Sequence, residues 1–592
     1  MFFSYFIYNL YVKVKRKYMS KKWKLAEPIP DNFTDQFPDI NPIVLQLLYN
    51  RGIVTQEAID EFFNADFIAD ICDPYVLIDM ERAVKRIFRA VDNNEEVLIY
   101  GDYDADGVTS SALLYDIFTQ IGLRPEVYIP QRETEGYGLN EGAVKEIIDR
   151  KFSLVVTCDC GVSNFDEVEL FNNAGVDVII TDHHKEPEKL PNAYAIIHPG
   201  LARENYKTKN LAGVGVAYKL ASGIIKSELF VKSEAEKEKS LKWLLDLVAI
   251  GSVTDMVPLI GENRTLVKYG LIVLKKTRRL GLQQLYEIAG TNVNKINSNT
   301  IGFQIGPRLN AAGRMDRANN AFELLKTNNL ETAIKISREL NISNSKRQDL
   351  TNKIVSEAKS QIDCVDEDTK FIFVRDKKWN LGIIGLVAGK LSQEYYRPSF
   401  VLGHDNKYWV CSCRSIDEVD IMEEVILKFK DKLIRFGGHK SAAGFSIPDE
   451  NLEYVQNVIK NELDKKLENV ELKPSLKVEA ELNLSDIDWN LWDSLDKFEP
   501  FGVENPEPKF LLKNCIIKEI STMGADKSHL RITLEQNGII KRAVGFGFAN
   551  KFPDLKIGDK IDLVVTISIN EWNGNRNIEI YINDINNFNK NV

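Results

Sequence analysis

Three aspartates, Asp102, Asp104 and Asp106, alternate in the segment GDYDADGVTSSALL. Alternate carboxylates on a tight turn can converge on one or two cations, and oxygen ligands of this kind suit Mg²⁺ or Mn²⁺. The same opening, D-x-D-x-D-G, begins an EF-hand. That loop needs a bidentate Glu at its twelfth position, and counting from Asp102 the residue there is Leu113. A solvated acidic turn is the bland alternative. Gly107 and the Thr/Ser run behind it can cap a helix. Further along, TCDCGVSN contributes Asp159, and TDHHKE contributes Asp182, His183 and His184. The chain has only 6 histidines, so two adjacent ones beside an aspartate read as ligands rather than as core residues. Asp255 follows the apolar run WLLDLVAIGSVT and means little on its own. Two divalent cations held by such groups about 3.5–4 Å apart would activate a water and stabilise a pentacovalent phosphorus. No Ser–His–Asp, Walker A or Rossmann glycine pattern competes for the site.

The elements that must bring these residues together are legible. EVLIY (96–100), FSLVVT (152–157), VDVIIT (176–181) and AYAII (193–197) are short apolar, β-branched runs separated by helical lengths. Continuous apolar strands alternating with helices predict a parallel sheet covered on both faces. In such sheets ligands bind beyond the carboxyl ends of the strands, where Asp102, Asp159 and Asp182 stand. Residues from about 40 to 95 read as helices, with Thr55 placed to start one. From Asn319 to about Ile362 the pattern is polar and helical, a long connection. KFIFVRD, GIIGLVAGKLSQEY, PSFVLG and YWVCSCRSI then predict a second, smaller α/β domain. Short, closely spaced strands from roughly 475 predict a small β-barrel, an OB-fold as the first choice and a sandwich as the alternative. Asn573-Gly574 is a type I′ hairpin signal within it. The segments are 1–18, an extension outside the native or ordered chain; 19–80, N-terminal and helical; 81–320, the α/β domain with the acidic cluster; 321–366, connecting helices; 367–463, the smaller α/β domain; and 475–592, the barrel.

A length of 592 residues allows about three or four domains. With 44% hydrophobic and 27% charged residues the chain is a packed globular protein. Its net charge of -10 excludes a uniformly basic nucleic-acid binder, so any DNA contact must be a local basic groove. The 7 cysteines form no disulfide-like framework. Cys158/Cys160 and Cys411/Cys413 lie in strand-like runs, where a period of two puts each pair on one sheet face. A zinc site is the sharper reading, but the Cys-x2-Cys spacing is missing, and small buried thiols in a reducing cytoplasm fit better. The first eighteen residues are too short and too polar to span a membrane, and their positive charge comes last instead of first. Met19 is read as the native start, with a peripheral membrane anchor in residues 1–18 as the alternative.

GDYDADG, the CDCG aspartate, DHH and GSVTDMVPL resemble motifs of the DHH phosphoesterase family. LLYNRGI, IPQRETEGYGLN, GVGVAYKL, GPRLNAAGRM, FGGHKSAAGFSI and FEPFGVENPEPKF extend the resemblance from about residue 40 to the end, to its bacterial single-strand-specific 5′→3′ exonuclease branch. The resemblance implies a parallel-sheet DHH domain joined by a long helix to a smaller α/β DHHA1 domain, then an OB-like barrel. It implies two Mn²⁺ or Mg²⁺ ions on Asp102, Asp104, Asp106, Asp159, His183 and Asp255, with Asp159 bridging. Catalysis falls to Asp159, Asp182 and His184, the last contacting the scissile phosphate. Arg132, Arg308, Asn310, Arg314, Ser412, Arg414, Gly437, Gly438 and His439 would bind substrate, several at its 5′-phosphate end. Guanidinium forks suit phosphate, and paired glycines let backbone N–H groups approach it. The bland alternative for Arg308 is a domain-interface salt bridge.

The implied function is 5′→3′ degradation of single-stranded DNA to mononucleotides in repair and recombination, by a cytoplasmic monomer working with a single-strand-binding protein and a helicase. A passage between the two α/β lobes would admit one strand only. Lys541, Arg542, Phe546, Phe548 and Trp572 of the barrel could feed it by stacking and phosphate contacts. Small-substrate phosphodiesterases, a 5′-polar ribonuclease and a non-enzymatic replication scaffold are the rivals. Three positions depart from the family's pattern. Tyr100 stands where a metal-binding histidine is frequent, Asn380 replaces a histidine, and His198 replaces an asparagine.

Overall fold

The computed structural model describes residues 21–131, 135–315, 318–362, 365–366, 368–572 and 574–587. The segment 1–18 lies outside them. The chain divides into two compact units, one of residues 1–63, 471–499 and 506–592, the other of residues 64–470 and 500–505.

The larger unit opens on a five-stranded parallel sheet made of β1 (Val97–Gly101), β2 (Glu126–Tyr128), β3 (Leu154–Cys158), β4 (Asp177–Thr181) and β5 (Ala195–Ile197). Its order is β2-β1-β3-β4-β5. β1 and β3 are buried along their whole length, as continuous apolar runs require. The order reverses at β1. A doubly wound sheet leaves a crevice there, beyond the carboxyl ends of β1 and β3. β2 is too short for its pattern to register in the sequence, and it adds a strand to the four predicted.

Helix α1 (Ala105–Gln120) leaves β1 after only three residues. Its N-cap is Asp104, whose carboxylate accepts from the N–H groups of Asp106 and Gly107 at 2.9 and 3.1 Å. The Thr/Ser run expected to cap instead lies inside the helix. Thr109, Ser110 and Ser111 donate back to the carbonyls of Ala105, Asp106 and Gly107. The cause is a close approach: a Cβ on Gly107 would stand 2.5 Å from the Asp102 carbonyl oxygen. The buried helices α2 (Gly213–Lys226) and α3 (Leu245–Thr254) pack on α1 and complete the core behind the sheet.

The cysteine pairs behave differently from one another. Cys411 and Cys413 share the buried face of their strand, as predicted. Cys158 and Cys160 do not share a face. Cys158 packs in the core with α1, Cys160 in the cluster on the other side of the sheet. β3 ends at Cys158, and the left-handed backbone of Asp159 (φ 61°) breaks the alternation. Both pairs are free buried thiols.

Helix α4 (Gly306–Met315) and the 31-residue α5 (Leu330–Ser360) lead to the second lobe. Its strands are β6 (Ile372–Arg375), β7 (Ser399–His404), β8 (Trp409–Arg414), β9 (Arg435–His439) and β10 (Ala442–Ile447), ordered β9-β10-β8-β7-β6. Only β6 and β7 pair in parallel. Helix α6 (Leu381–Tyr395) covers this sheet.

The smaller unit is a closed barrel of β11 (Phe510–Met523), β12 (His529–Gln536), β13 (Ile539–Gly545), β14 (Lys560–Trp572) and β15 (Asn575–Asn587). The order is β11-β12-β13-β15-β14, with β14 returning to β11 and β13 parallel to β15. This is OB topology. Trp572 pairs with Asn575, so two residues join β14 to β15; Gly574 takes φ 79°, and Asn573 lies outside the described residues. A strand at Lys22–Leu25, not foreseen, pairs with Ser475–Val478 in the same unit. Thr55 starts its helix as predicted, accepting from the Ala58 N–H. Phe548 is not a stacking surface. It is 5% exposed and stacked on Phe552, whereas Phe546 is 58% exposed. The side chain of Trp572 lies outside the described residues. Lys541 is half-buried and Arg542 exposed. Among the described residues no helix is long and apolar enough to cross a membrane.

Gly107→Ala is expected to lower stability by about 1–3 kcal/mol through overpacking against the Asp102 backbone. The midpoint of chemical denaturation reads it. An unchanged midpoint would show that the turn relaxes freely.

Candidate active site

Every member of the acidic cluster lies where a chain segment ends. Asp102 follows β1, Asp159 follows β3, and Asp182-His183-His184 follow β4. Asp104 and Asp106 sit in the first turn of α1, and Asp255 closes α3 as its C-cap. Their ligand atoms form three overlapping groups, each within 4.8 Å: Asp102, Asp104 and Asp159; Asp106, His183 and Asp255; and Asp159, His183 and His184. Asp159 and His183 each belong to two groups.

The donor set fits divalent cations. His183 Nε2 and Asp159 Oδ1 stand 3.0 Å apart, yet neither has a hydrogen-bond partner, although both are buried. Asp102 Oδ1 is likewise buried and unpaired. Buried polar atoms without partners are rare in proteins. Here they face one another around shared points, as ligands of a common ion do. His183 Nε2 also lies 3.9 Å from Asp106 Oδ2 and 3.7 Å from Asp255 Oδ2.

Charge points the same way. Burial, and next the neighbouring carboxylates, push Asp102 and Asp159 well above the usual carboxylate range. Burial, followed by facing aspartates, raises Asp106 and Asp255 to about 7. Burial lowers His183 and favours its neutral, ligating form. These groups repel one another, and a cation turns the repulsion into binding energy.

Asp182 differs. It belongs to none of the three groups, and its carboxylate accepts from the N–H groups of Val162, His183 and His184 and from the His184 ring. Burial alone would raise it. The His184 hydrogen bond and charge, with the Val162 N–H, outweigh burial and bring it to about 2. Burial likewise opposes protonation of His184, but Asp182, 2.7 Å from Nδ1, raises it overall. Asp182 therefore holds His184.

Two of the three departures find partners. His198 is buried; its Nε2 meets the His184 carbonyl at 2.7 Å, and its Nδ1 accepts from the Gly200 N–H. A carbonyl can only accept, so the proton sits on Nε2. Tyr100 donates to the Gly138 carbonyl at 3.0 Å and packs on the face of the sheet away from α1. The carboxamide oxygen of Asn380 is buried without a partner. One contact was invisible in the sequence. The Tyr137 hydroxyl lies 3.1 Å from the Asp159 carbonyl and 2.8 Å from His184 Nδ1. GYGLN drew notice only through the resemblance, and nothing in the spacing marks a tyrosine 22 residues from Asp159 as its neighbour.

The residues expected to bind substrate lie on several elements. Arg308 donates to the Asn341 side chain at 3.0 Å and to the Gln304 carbonyl at 2.6 Å; no ion pair is seen for it among the described residues. Asn310 accepts from the Ala105 N–H at 2.7 Å, so it braces the first turn of α1. Gly313 lies against the Tyr103 backbone, which docks α4 on the same turn. α4 also packs on α6. Ser412 Oγ overhangs Gly385 of α6, where a Cβ would be 2.9 Å away, and Arg414 reaches Ser412 and the Cys413 carbonyl. Gly437, Gly438 and His439 are exposed on edge strand β9, and a Cβ on Gly438 would meet the Ala443 backbone at 2.4 Å. Arg132 and the side chain of Arg314 lie outside the described residues.

Three family models match the chain: the DHH family N-terminal domain over residues 96–252, the DHHA1 domain over 368–465 and the RecJ OB domain over 478–584. The single-stranded-DNA-specific exonuclease RecJ of Bacillus subtilis is 35% identical over 568 residues, covering 95% of this chain and 70% of that protein. That of Haemophilus influenzae is 31% identical over 560 residues, covering 92% and 96%. The chain belongs to the RecJ family. Among solved structures, RecJ of Thermus thermophilus in complex with Mn²⁺ superposes with a TM-score of 0.80 at 26% identity, covering 95% of this chain and 79% of that one. The Mg²⁺ complex of the same RecJ gives 0.75 at 25% identity. RecJ proteins with either ion thus share this fold, and the cluster of carboxylates and imidazoles described above could hold such ions.

Asp159→Asn removes a charge from a repelling cluster. The metal-free variant is expected to melt about one degree above the parent, the shift that about 1 kcal/mol produces in a unit of this size. The upward shift that Mn²⁺ confers on the parent should vanish. Thermal melts with and without Mn²⁺ check both signs, and a retained Mn²⁺ shift would refute Asp159 as a ligand.

Proposed function

We propose that this chain hydrolyses single-stranded DNA from its 5′ end and releases 5′-mononucleotides with the help of two divalent cations. The observation that carries the reading is the set of overlapping donor groups sharing Asp159 and His183 at the strand-end crevice. The RecJ relatives are named as single-stranded-DNA-specific exonucleases over nearly the whole chain.

Asp102, Asp104, Asp106, Asp159, His183 and Asp255 would hold Mn²⁺ or Mg²⁺, and Asp159 belongs to two of the donor groups. Bound cations of this kind lower the pKa of water and stabilise charge developing on a phosphoryl group. The rest falls to the chain. Asp182 fixes the ring of His184, which is set to meet the scissile phosphate. Arg308, Ser412 and Arg414, with Arg132 and Arg314, receive the 5′ terminus, and Asn310 keeps the first turn of α1 in register beside them. Glycines at 437 and 438 open the edge of β9 to a phosphate, with His439 alongside. A passage between the DHH and DHHA1 lobes accepts one strand and rejects a duplex. The barrel offers Phe546 as a stacking surface for unpaired bases. The setting is a cytoplasmic monomer acting in repair and recombination, supplied with single strands by a helicase and met there by a single-strand-binding protein.

The test uses strands labelled at either end, as single-stranded DNA, duplex DNA and RNA, with Mn²⁺. Mononucleotides should appear from the 5′ end of single-stranded DNA alone; release from the 3′ end, or a preference for dinucleotides, sinks the reading. Arg414→Ala should lower kcat/KM on a 5′-phosphorylated strand by roughly 10- to 100-fold, the worth of a charge-assisted hydrogen bond. On a strand with a 5′-hydroxyl the loss should be smaller, and equal losses on both would remove Arg414 from the 5′-phosphate pocket.

A further inference from the structure

We infer that Tyr137 is a positioning residue of this centre, acting through His184; the inference rests on the reading of His184 as the side chain that meets the scissile phosphate. Its hydroxyl donates to the Asp159 carbonyl at 3.1 Å. That uses its only proton, so the oxygen can meet His184 only as an acceptor. It lies 2.8 Å from Nδ1 and 3.3 Å from Nε2, over the ring, with the two rings tilted by 59°. Asp182 Oδ1, 2.7 Å from the same Nδ1, also only accepts. Asp182, an acceptor within reach of Nδ1, places a ring proton there. Nε2 is the nitrogen left for a phosphate oxygen, to which it can donate only as the second N–H of the imidazolium. Asp182 places the proton on Nδ1, and Tyr137, packed on the ring, sets its tilt.

The loop is built to hold this tyrosine. Gly136 and Gly138 flank it at φ 82° and 78°, a region side chains avoid. A Cβ on Gly138 would stand 2.7 Å from Asn164 Oδ1. Asn164 clamps the next residue from both sides, accepting from the Leu139 N–H at 3.2 Å and donating to its carbonyl at 3.0 Å. From the sheet, the Tyr100 hydroxyl donates to the Gly138 carbonyl at 3.0 Å. Tyr100, which stands where a histidine is frequent in related enzymes, is thus spent on the loop that presents Tyr137. At the other end, Asp159 holds φ 61°, unfavourable for a residue with a side chain, and the Tyr137 hydrogen bond satisfies its carbonyl. One hydroxyl therefore ties the peptide of the shared carboxylate to the ring of the phosphate-facing histidine.

A double-mutant cycle tests this, with Tyr137→Phe, His184→Ala and the double variant assayed on 5′-phosphorylated single-stranded DNA with Mn²⁺. Tyr137→Phe should lower kcat about tenfold, the order expected for one hydrogen bond to a charged or catalytic group. KM and the Mn²⁺ affinity measured by calorimetry should stay within about twofold. In the His184→Ala background the same change should cost nothing more, because the two residues act as one unit. Wild-type turnover by Tyr137→Phe beside a defective His184→Ala overturns the inference and leaves the reading of the site intact. Wild-type turnover by His184→Ala overturns that reading first. Multiplying losses, a rise in KM alone, or lost Mn²⁺ affinity each overturn the inference, since they mean independent action, direct substrate contact or a purely structural role at Asp159. If Tyr137→Phe loses the native melting transition, Tyr100→Phe takes its place in the cycle. That change frees the loop but leaves Tyr137 in the chain, and the same outcomes support or overturn the inference.

Discussion

Mutual repulsion among buried carboxylates governs this centre. Asp102, Asp106 and Asp159 are buried, and Asp104 and Asp255 stand close by. In a low-dielectric crevice such groups cannot all ionise without a counter-charge, and burial raises the pKa of four of them. The surrounding fold accepts that cost. It commits Asp106 to the N–H groups of Gly213 and Val214 at the start of α2, and Asp104 to the cap of α1. Glycines clear the approach: a Cβ on Gly213 would meet Asp159, and one on Gly251 would meet Asp106, each at about 2.5 Å. Cations then convert the stored repulsion into affinity.

The backbone around the cluster is equally specialised. β3 delivers Asp159 by ending in a left-handed residue, which also sends Cys158 and Cys160 to opposite faces of the sheet. His198 steadies the peptide of His184 through its carbonyl, while Asp182 and Tyr137 steady its ring. His184 is thus gripped at both main chain and side chain.

The substrate-side residues hang from this centre by packing. α4 docks on the turn that holds Asp104 through Gly313 and Asn310, and it packs on α6, which underlies Ser412. In the smaller unit the barrel closes without an open edge between β11 and β14, and the exposed Phe546 packs against the rings of His529 and Tyr581.

Much of this was legible from residue order. Apolar runs ending in aspartates announced the parallel sheet and its active rim, and the histidine pair and alternating carboxylates announced cations, because hydrophobic period and ligand chemistry are local properties. The long helix, the second lobe and the barrel followed from composition shifts and turn residues. The contacts that depend on chain segments meeting in space were not legible. The cap on α1 moved from the Thr/Ser run to Asp104 because Gly107 abuts the Asp102 backbone, and Phe548 proved to be core because Phe552 folds over it. Asn310, grouped with the substrate residues by resemblance, is tied to Ala105. Tyr137 and Tyr100 acquired roles only when a glycine-flanked loop closed over the ends of β1 and β3. Residue types and their local spacing determine which chemistry the chain can support; which side chains share a proton or a metal depends on backbone turns whose partners lie tens to hundreds of residues away.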